Sequence, residues 1–266
     1  MEISAVKLIY FSPTQTSKTI LEAIAGGMGI GAVSHIDLTP PDAATRDFGE
    51  LTDEPAVIGV PVYGGRVPVD AKERLKRLKA DKTPAVLVVL YGNRAFEDAL
   101  LELKNLALEA GFIPVAGAAF IGEHSFSSAG MPIAEGRPDA DDMAKAGDFG
   151  KAVIEKIRGL KQINDVPALQ VPGDDPHRER NKPADISPST DEDVCVLCGT
   201  CASVCPTEAV TVDEIVTTKG LECILCCACV KNCPTGARVM NAPPIMKIAE
   251  WLSTNFKERK EPDIFI

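Results

Sequence analysis

Cysteine is the residue type whose spacing in this chain is best suited to chemistry. The chain has nine cysteines among 266 residues, and eight of them fall into two runs of the form C-x2-C-x2-C-x3-C-P. The first run spans residues 195–206 and the second spans residues 223–234. Each cysteine of the first run recurs 28 residues later, so the two runs form an internal repeat.

The spacing within each run indicates a metal–sulfur site. Three thiolates at two-residue gaps on one tight turn cover three corners of an iron–sulfur cubane, and the fourth must come from elsewhere in the chain. A zinc site is an alternative, but zinc ribbons do not use four cysteines in such a run. A disulfide framework is a second alternative, and the crowding of all the cysteines into 39 residues argues against it. The pattern therefore predicts iron–sulfur clusters.

The two runs resemble those of bacterial ferredoxins that carry two 4Fe–4S clusters. In that family the fourth cysteine of each run ligates the other cluster. The resemblance implies two ligand sets, which are Cys195, Cys198, Cys201 and Cys233 for one cluster, and Cys223, Cys226, Cys229 and Cys205 for the other. The ninth cysteine, Cys227, aligns with Gly199 of the first run and is interpreted as a small buried hydrophobic residue.

A hydroxyl-rich turn lies between the first predicted strand, residues 5–11, and an apolar helical pattern at residues 20–25. The turn reads Ser12-Pro-Thr-Gln-Thr-Ser-Lys-Thr19. Free N–H groups and the positive end of the helix dipole make such a helix start a binding site for anions. The alternative interpretation is that the hydroxyls only cap the helix.

Strands and helices alternate five times over residues 1–160, which predicts an α/β fold with a doubly wound parallel five-stranded sheet. Ligands of such sheets bind beyond the carboxyl ends of the strands. Two more loops leave strands at that edge, at residues 61–66 and 91–94. The residues of these loops that we expect to line a ligand site are Pro61, Val62, Tyr63, Gly64, Gly65, Tyr91, Gly92 and Asn93.

The turn after the first strand resembles the phosphate loop of flavodoxins, T-x-T-G-x-T. Gln15 stands where that family usually has glycine, and glycine tolerates the positive φ that side chains avoid. The resemblance implies a flavodoxin-like strand order, 2-1-3-4-5, and an FMN with its ring between the two loops. The phosphate-binding residues that it implies are Ser12, Thr14, Gln15, Thr16 and Ser17.

Three residues in loops that could face the flavin ring are candidates for holding an acidic substrate, namely Arg66, Arg94 and, after the fifth predicted strand, His124. The alternative is that both arginines pair with Glu97 or Asp98 and that the histidine only caps a loop.

Charge and hydropathy exclude several classes of partner. The net charge is −10, from 38 acidic and 28 basic residues, which argues against nucleic acid or an anionic membrane and permits a basic redox protein. No stretch of 18 apolar residues occurs, so no transmembrane helix is expected. The N-terminus lacks the basic and apolar regions of a secretory signal. Cysteines reserved for clusters fit a reducing compartment, so we expect a cytoplasmic location.

Composition divides the chain into four parts. We predict a flavodoxin-like FMN-binding domain at 1–160, a proline-rich linker at 161–190, a small α+β ferredoxin domain at 191–240, and a C-terminal helix and tail at 241–266 that dock between the domains. Within the linker, residues 174–182 are interpreted as a solvated connection, with a docking strip as the alternative.

The whole chain resembles the flavodoxin–ferredoxin fusion proteins of anaerobes (the EFR-type family). The resemblance implies an electron-transfer protein that couples two 4Fe–4S clusters to an FMN, because clusters move single electrons and a flavin accepts one or two. The alternative is an FMN-dependent reductase that acts on a small, acidic substrate with electrons from its own ferredoxin domain. A homodimer is compatible with either function.

Overall fold

A parallel sheet with helices on both faces occupies the N-terminal part of the chain. The computed structural model describes residues 3–52, 54–180 and 184–266. The strands of this part are β1 (Ala5–Tyr10), β2 (Ala32–Asp37), β3 (Glu50–Leu51), β4 (Ala56–Pro61), β5 (Lys79–Ala80), β6 (Thr83–Tyr91) and β7 (Phe112–Ile121). The helices are α1 (Thr16–Met28), α2 (Val69–Leu75), α3 (Ala99–Glu109) and α4 (Ala140–Gly159).

The strand order of the main sheet is β2-β1-β4-β6-β7, and all of these strands run parallel. This is the doubly wound, flavodoxin-like order, so the predicted fold class is confirmed. The five predicted parallel strands are present, and within the described residues a sixth, antiparallel strand joins the sheet. Strand β12 (Asp263–Phe265) pairs antiparallel with β7, and it covers an edge that would otherwise expose unpaired backbone groups.

Helices α1 and α4 cover one face of the sheet, and α2 and α3 cover the other. The strands are buried on both faces, which is why their sequences are continuous apolar runs. Glycines allow α1 and α4 to approach closely. A Cβ added at Gly150 would lie 2.1 Å from the carbonyl oxygen of Ile24, and one added at Gly27 would lie 1.9 Å from that of Gly147.

We expect Gly150→Ala to lower the free energy of unfolding by about 1–3 kcal/mol, because the added methyl group must push two helix backbones apart. Gly159→Ala, in the same helix, is the matched control, since nothing lies within 4 Å of its added Cβ. The control should gain roughly 0.5–1 kcal/mol from helix propensity. Urea denaturation of both variants measures the difference, and equal stabilities would contradict the close packing described here.

The segment that follows α4 packs against the α3 side of the sheet. Leu169 is buried against that face, and the N–H groups of Asp174 and Arg178 donate to the carboxylate of Asp98 at 3.0 and 2.8 Å. Arg178 also pairs with Glu97. Residues 174–176, 178 and 179 are exposed, so the segment is solvated as predicted, and the bonds to Asp98 and Glu97 also tie it to the first domain. Residues 181 and 182 lie outside the described residues.

The cysteine repeat folds into a small module of short strands and one-turn helices. Its elements are β8 (Ser189–Thr190), α5 (Thr200–Ser203), β9 (Val210–Val212), β10 (Val216–Thr218), α6 (Ala228–Lys231) and β11 (Arg238–Val239). The backbone repeats with the sequence, since residues 28 positions apart share left-handed conformations. These pairs are Leu197 with Leu225, Gly199 with Cys227, and Glu208 with Gly236.

The C-terminal part returns to the first domain. Helix α7 (Pro243–Asn255) buries Ala249 and Leu252 against Ile133, in the loop between β7 and α4. The chain then passes the loop that follows β6 and ends as β12 at the sheet edge. The last helix and strand therefore join the ferredoxin module to the flavodoxin-like domain.

Candidate functional site

Two cavities in the cysteine module are each lined by four of the repeat cysteines. The first is lined by Cys195, Cys198, Cys201 and Cys233. The second is lined by Cys205, Cys223, Cys226 and Cys229, with Cys227 beside them. Each cavity thus takes three cysteines from one run and the fourth from the other. This is the sorting that the ferredoxin resemblance implies.

The donor set of these cavities fits an iron–sulfur cluster. All nine thiols are free, so the disulfide framework is not formed. A hydrogen bond with the Thr200 hydroxyl lowers the pKa of Cys198, whereas burial raises the pKa of Cys226 and Cys229. Soft sulfur donors, an apolar lining and hydroxyl groups near the sulfurs are what such clusters use.

Cys227 lies in the second cavity wall at a position with special backbone geometry. Its φ is 57°, and the equivalent Gly199 has φ 79°, so both residues start their helices from the left-handed region. The side chain is 1% exposed, and its Sγ donates to the carbonyl of Leu225 at 3.7 Å. These contacts fit the interpretation of Cys227 as a small buried side chain.

The turn at residues 12–17 has the geometry of an anion site. Gln15 adopts φ 64° and ψ −8°, so it takes the left-handed conformation for which the flavodoxin loop uses glycine. Ser12 Oγ accepts from the N–H of Lys18 at 3.1 Å and caps α1. Ser17 Oγ is buried without a hydrogen-bond partner in the described part of the chain. Because the first N–H groups of a helix are also free, a phosphate would satisfy both kinds of donor.

The predicted loops come together beside this turn. The N–H of Val62 donates to Leu90 O at 2.8 Å and ties the loop after β4 to the end of β6. Tyr63 and Arg66 close a tight turn in which Gly64 and Gly65 have φ 58° and 79°, angles that favour glycine. Nothing lies within 4 Å of a Cβ added at Gly64, so its backbone is open to a flat ligand.

Two residues of the 91–94 loop have side-chain partners that the sequence did not indicate. Asn93 is 3% exposed, and its Nδ2 donates to the carbonyl oxygens of Phe256 and Glu258, both at 2.8 Å. The ring of Tyr91 is buried against Phe96, with centroids 5.5 Å apart. Asn93 therefore anchors the C-terminal segment through its side chain, and only its Oδ1 lacks a partner among the described residues.

The three candidate catalytic side chains already interact with other residues of this chain. Arg66 is buried and makes a two-bond ion pair with Glu102, with both N···O distances 2.8 Å. Arg94 pairs with Glu97 at 2.7 Å. His124 packs against Gly92, and its Nδ1 accepts from the N–H of Phe126 at 3.0 Å. The ion-pair alternative thus describes the arginines, although Arg66 uses an acid that the sequence did not single out.

His124 is neutral near pH 7 for a physical reason. Burial lowers its pKa from 6.5 to about 4, and the charges of Arg94 and Lys231 act in the same direction. As the pH falls below 6.5, the imidazole of the unfolded chain binds a proton, whereas the imidazole of the folded chain stays neutral until about pH 4. Stability is therefore lost between pH 6.5 and about 4, by on the order of 1.4 kcal/mol for each pH unit.

We accordingly expect His124→Gln to lose less stability than the parent protein when the pH is lowered from about 7 to about 5. His35→Gln is the control, because this histidine is exposed. Urea denaturation at both pH values measures the effect. An unchanged pH dependence in His124→Gln would show that the ring is not held neutral by its surroundings.

The ferredoxin module contacts the flavodoxin-like domain beside these loops. Arg74 is buried, and its Nη2 donates to the carbonyl of Pro206 at 2.6 Å. Lys231 pairs with Glu123 and donates to Ser127 O at 3.0 Å. These contacts could not be predicted from the sequence, because they join residues more than 100 positions apart and both cations resemble ordinary surface charges.

Tyr63, in the predicted flavin loop, lies near the cysteines of the second cavity. Burial raises the pKa of Tyr63 well above the usual range, the nearby Cys226 and Cys227 act in the same direction, and a hydrogen bond with Ser125 opposes them. Ile224, which lines the second cavity, packs against the core of the flavodoxin-like domain. The second cavity therefore lies next to that domain.

One family model and several solved structures match parts of this chain. A family described as "4Fe-4S binding domain" matches residues 188–211. Among solved structures, oxidised flavodoxin 2 of Bacillus cereus is 16% identical over 57% of this chain and 99% of its own, with a TM-score of 0.42. A flavodoxin from Archaea is 12% identical over 58% and 99%, with a TM-score of 0.39. No curated protein matches the sequence.

Strand order and the matched family together define the class. The chain joins a flavodoxin-like domain to a 4Fe–4S binding domain, and such clusters are one-electron redox groups. This is an architecture for electron transfer. Among the described residues, no helix combines the length and apolar character needed to cross a bilayer.

Proposed function

We propose that this chain transfers electrons within one molecule between two 4Fe–4S clusters and an FMN. The observation that carries the proposal is the packing of Ile224, which lines the second cysteine cavity, against the core of the flavodoxin-like domain, with Cys226 and Cys227 near Tyr63. When bound, the clusters would supply one-electron steps and the flavin would supply one- or two-electron chemistry. The protein's part is to hold these groups close together and to shield them from water.

The chain's own residues fix the proposed relay. Arg74 spans from the first domain to Pro206, directly after Cys205 of the second cavity, and also donates to Leu38 O at 2.7 Å. Lys231 fastens α6 to the loop that carries His124. Both bonds attach elements that line the second cavity to the first domain, so we propose that this cavity lies nearer to the flavin than the first cavity does.

We propose that a redox partner binds beside the first cavity. Cys198 is exposed, and the neighbouring Val196 and Leu197 are 64% and 43% exposed. Acidic residues at 191–193 precede this run. An apolar patch beside acidic side chains suits a basic redox protein. Thiols kept for clusters suit a reducing compartment, so we propose that the exchange occurs in the cytoplasm.

The reductase alternative has less support from the site. Each arginine proposed to hold an acidic substrate already faces a carboxylate, and His124 is uncharged near pH 7. The loop at 91–94 is also bonded to the C-terminal segment.

The direct test is to purify the full chain anaerobically and to quantify its cofactors. We expect about eight irons, eight sulfides and one flavin per chain. Rapid mixing with a one-electron donor should then reduce the flavin at a rate that does not depend on protein concentration. A rate proportional to protein concentration would contradict transfer within the molecule, and stoichiometric zinc would contradict the clusters.

Ser17→Ala should weaken FMN binding by about 10- to 150-fold, because a hydrogen bond to a charged phosphate contributes roughly 1.5–3 kcal/mol. Thr19→Val is the matched control, since that hydroxyl donates to Gln15 O at 3.0 Å inside the helix start. Fluorescence titration of the flavin-free protein with FMN measures both. Equal affinities would place the phosphate elsewhere, and the iron–sulfur absorbance checks that the module is intact.

A further inference from the structure

A buried arginine stands in the cysteine repeat where the first half has an apolar residue. The 28-residue repeat aligns Arg238 with Val210. The two side chains are similarly buried, at 3% and 6% exposure. A guanidinium at an apolar core position is costly unless specific groups offset its charge. Packing of the module's core therefore does not explain why an arginine occupies the position that valine occupies in the first half of the repeat.

Neutral groups hold this guanidinium. Nη1 donates to the hydroxyl of Thr190 at 2.7 Å, and Nη2 donates to that of Thr218 at 2.9 Å. The first bond follows from the pairing of β11 with β8, which sets Arg238 opposite Thr190. Within the described residues Arg238 forms no ion pair, and its buried Nε has no hydrogen-bond partner. The positive charge is thus uncompensated by the protein.

The side chain lies between the two cysteine cavities. Arg238 lines the first cavity. Its Nη2 also lies 3.8 Å from Sγ of Cys229, which lines the second. One cation therefore lies beside the cysteines of both cavities.

We infer that Arg238 raises the reduction potentials of both clusters by placing one buried positive charge between them. The inference rests on the proposed function, since it requires clusters in the two cavities. Reduction adds one electron to a cluster and transfers no atom, so each cluster becomes more negative by one charge. A nearby buried cation and hydrogen bonds to the sulfurs favour that state.

The test compares Arg238→Met with Lys219→Met in the full chain. Both variants remove one positive charge, but Lys219 is exposed, with 65% of its side chain accessible, and solvent screens it. Dithionite titration followed by paramagnetic resonance gives the potentials. We expect both potentials of Arg238→Met to become more negative by about 59 mV, a tenfold change in the one-electron equilibrium. Lys219→Met should stay near the parent values, and Arg238→Lys should recover part of the shift.

The other outcomes are equally decisive. Unchanged potentials in Arg238→Met with full iron content would overturn the inference. If that variant fails to retain iron, Arg238→Gln removes the charge while keeping a hydrogen-bond donor, and its potentials must fall in the same way. Four irons in the parent chain would contradict the proposed pair of clusters. The inference would then be judged on the potential of the remaining cluster, because Arg238 contacts both cavities.

Discussion

Cys233→Ala is expected to empty the first cavity although the residue belongs to the second cysteine run. The reason is spatial, since Cys233 lines the cavity of Cys195, Cys198 and Cys201. A cluster that loses one of its thiolates loses a covalent ligand, so iron content should fall from about eight to about four atoms per chain. Paramagnetic resonance of the reduced variant should show the signal of a single cluster without the coupling between neighbouring clusters.

Cys227→Ala is the matched control for this prediction. It removes a buried thiol from the same seven-residue stretch, 227–233, but this thiol bonds to the Leu225 carbonyl and repeats a glycine position. Its iron content should remain at the parent level. A loss of iron in Cys227→Ala, or the retention of full iron in Cys233→Ala, would show that the cavities sort their ligands differently.

Removal of residues 243–266 is expected to release the ferredoxin module from the first domain. The deleted part includes Leu252, buried against Ile133, and the backbone acceptors of Asn93. Flavin reduction by a one-electron donor should slow markedly, since the second cavity would no longer be held at the Tyr63 loop. Hydrogen exchange in residues 126–133 should accelerate, which reports undocking whether or not flavin is bound.

Single substitutions in α7 test whether this helix docks the domains together, without removing the whole C-terminal segment. Leu252→Ala should weaken the helix contact by about 2–5 kcal/mol, the usual cost of truncating a buried leucine. Ile248→Ala is the control, because this residue of the same helix is 46% exposed and should change docking little. If hydrogen exchange and the rate of flavin reduction in both variants match those of the parent protein, α7 does not hold the domains together. The contacts of Arg74 and Lys231 would then be sufficient to hold them.

Local patterns carried most of what the sequence could predict. The strand at Phe112–Ile121 and the cysteine repeat follow from apolar runs and fixed spacing, which act over a few residues. The left-handed backbone of Gln15 shows the limit of such reasoning. The flavodoxin pattern has glycine at this position, and glycine tolerates a positive φ that side chains avoid. The turn nevertheless keeps the left-handed geometry with a glutamine, whose side chain donates to Ser12 O at 3.1 Å.

What the sequence could not predict depends on distant partners. Glu102 binds both Arg66 and Arg180, which lie 36 and 78 residues away. Asn93 binds backbone groups 163 and 165 residues away. Neither contact has a periodic or compositional signature. The edge strand β12 was equally hidden, because three residues are too few to reveal a strand pattern even though the apolar tail suggested docking.

The position of β12 makes the flavodoxin-like domain discontinuous along the chain. The cysteine module is inserted between α4 and the last strand of the sheet, so two covalent connections leave and re-enter the same domain. During synthesis the cysteines emerge before the strand that covers the edge of β7, and that edge stays open to wrong pairing until the module is complete. Maturation of the iron–sulfur segment and closure of the flavin domain are thus steps of one assembly process, and cells short of iron should accumulate the chain with its sheet edge uncovered.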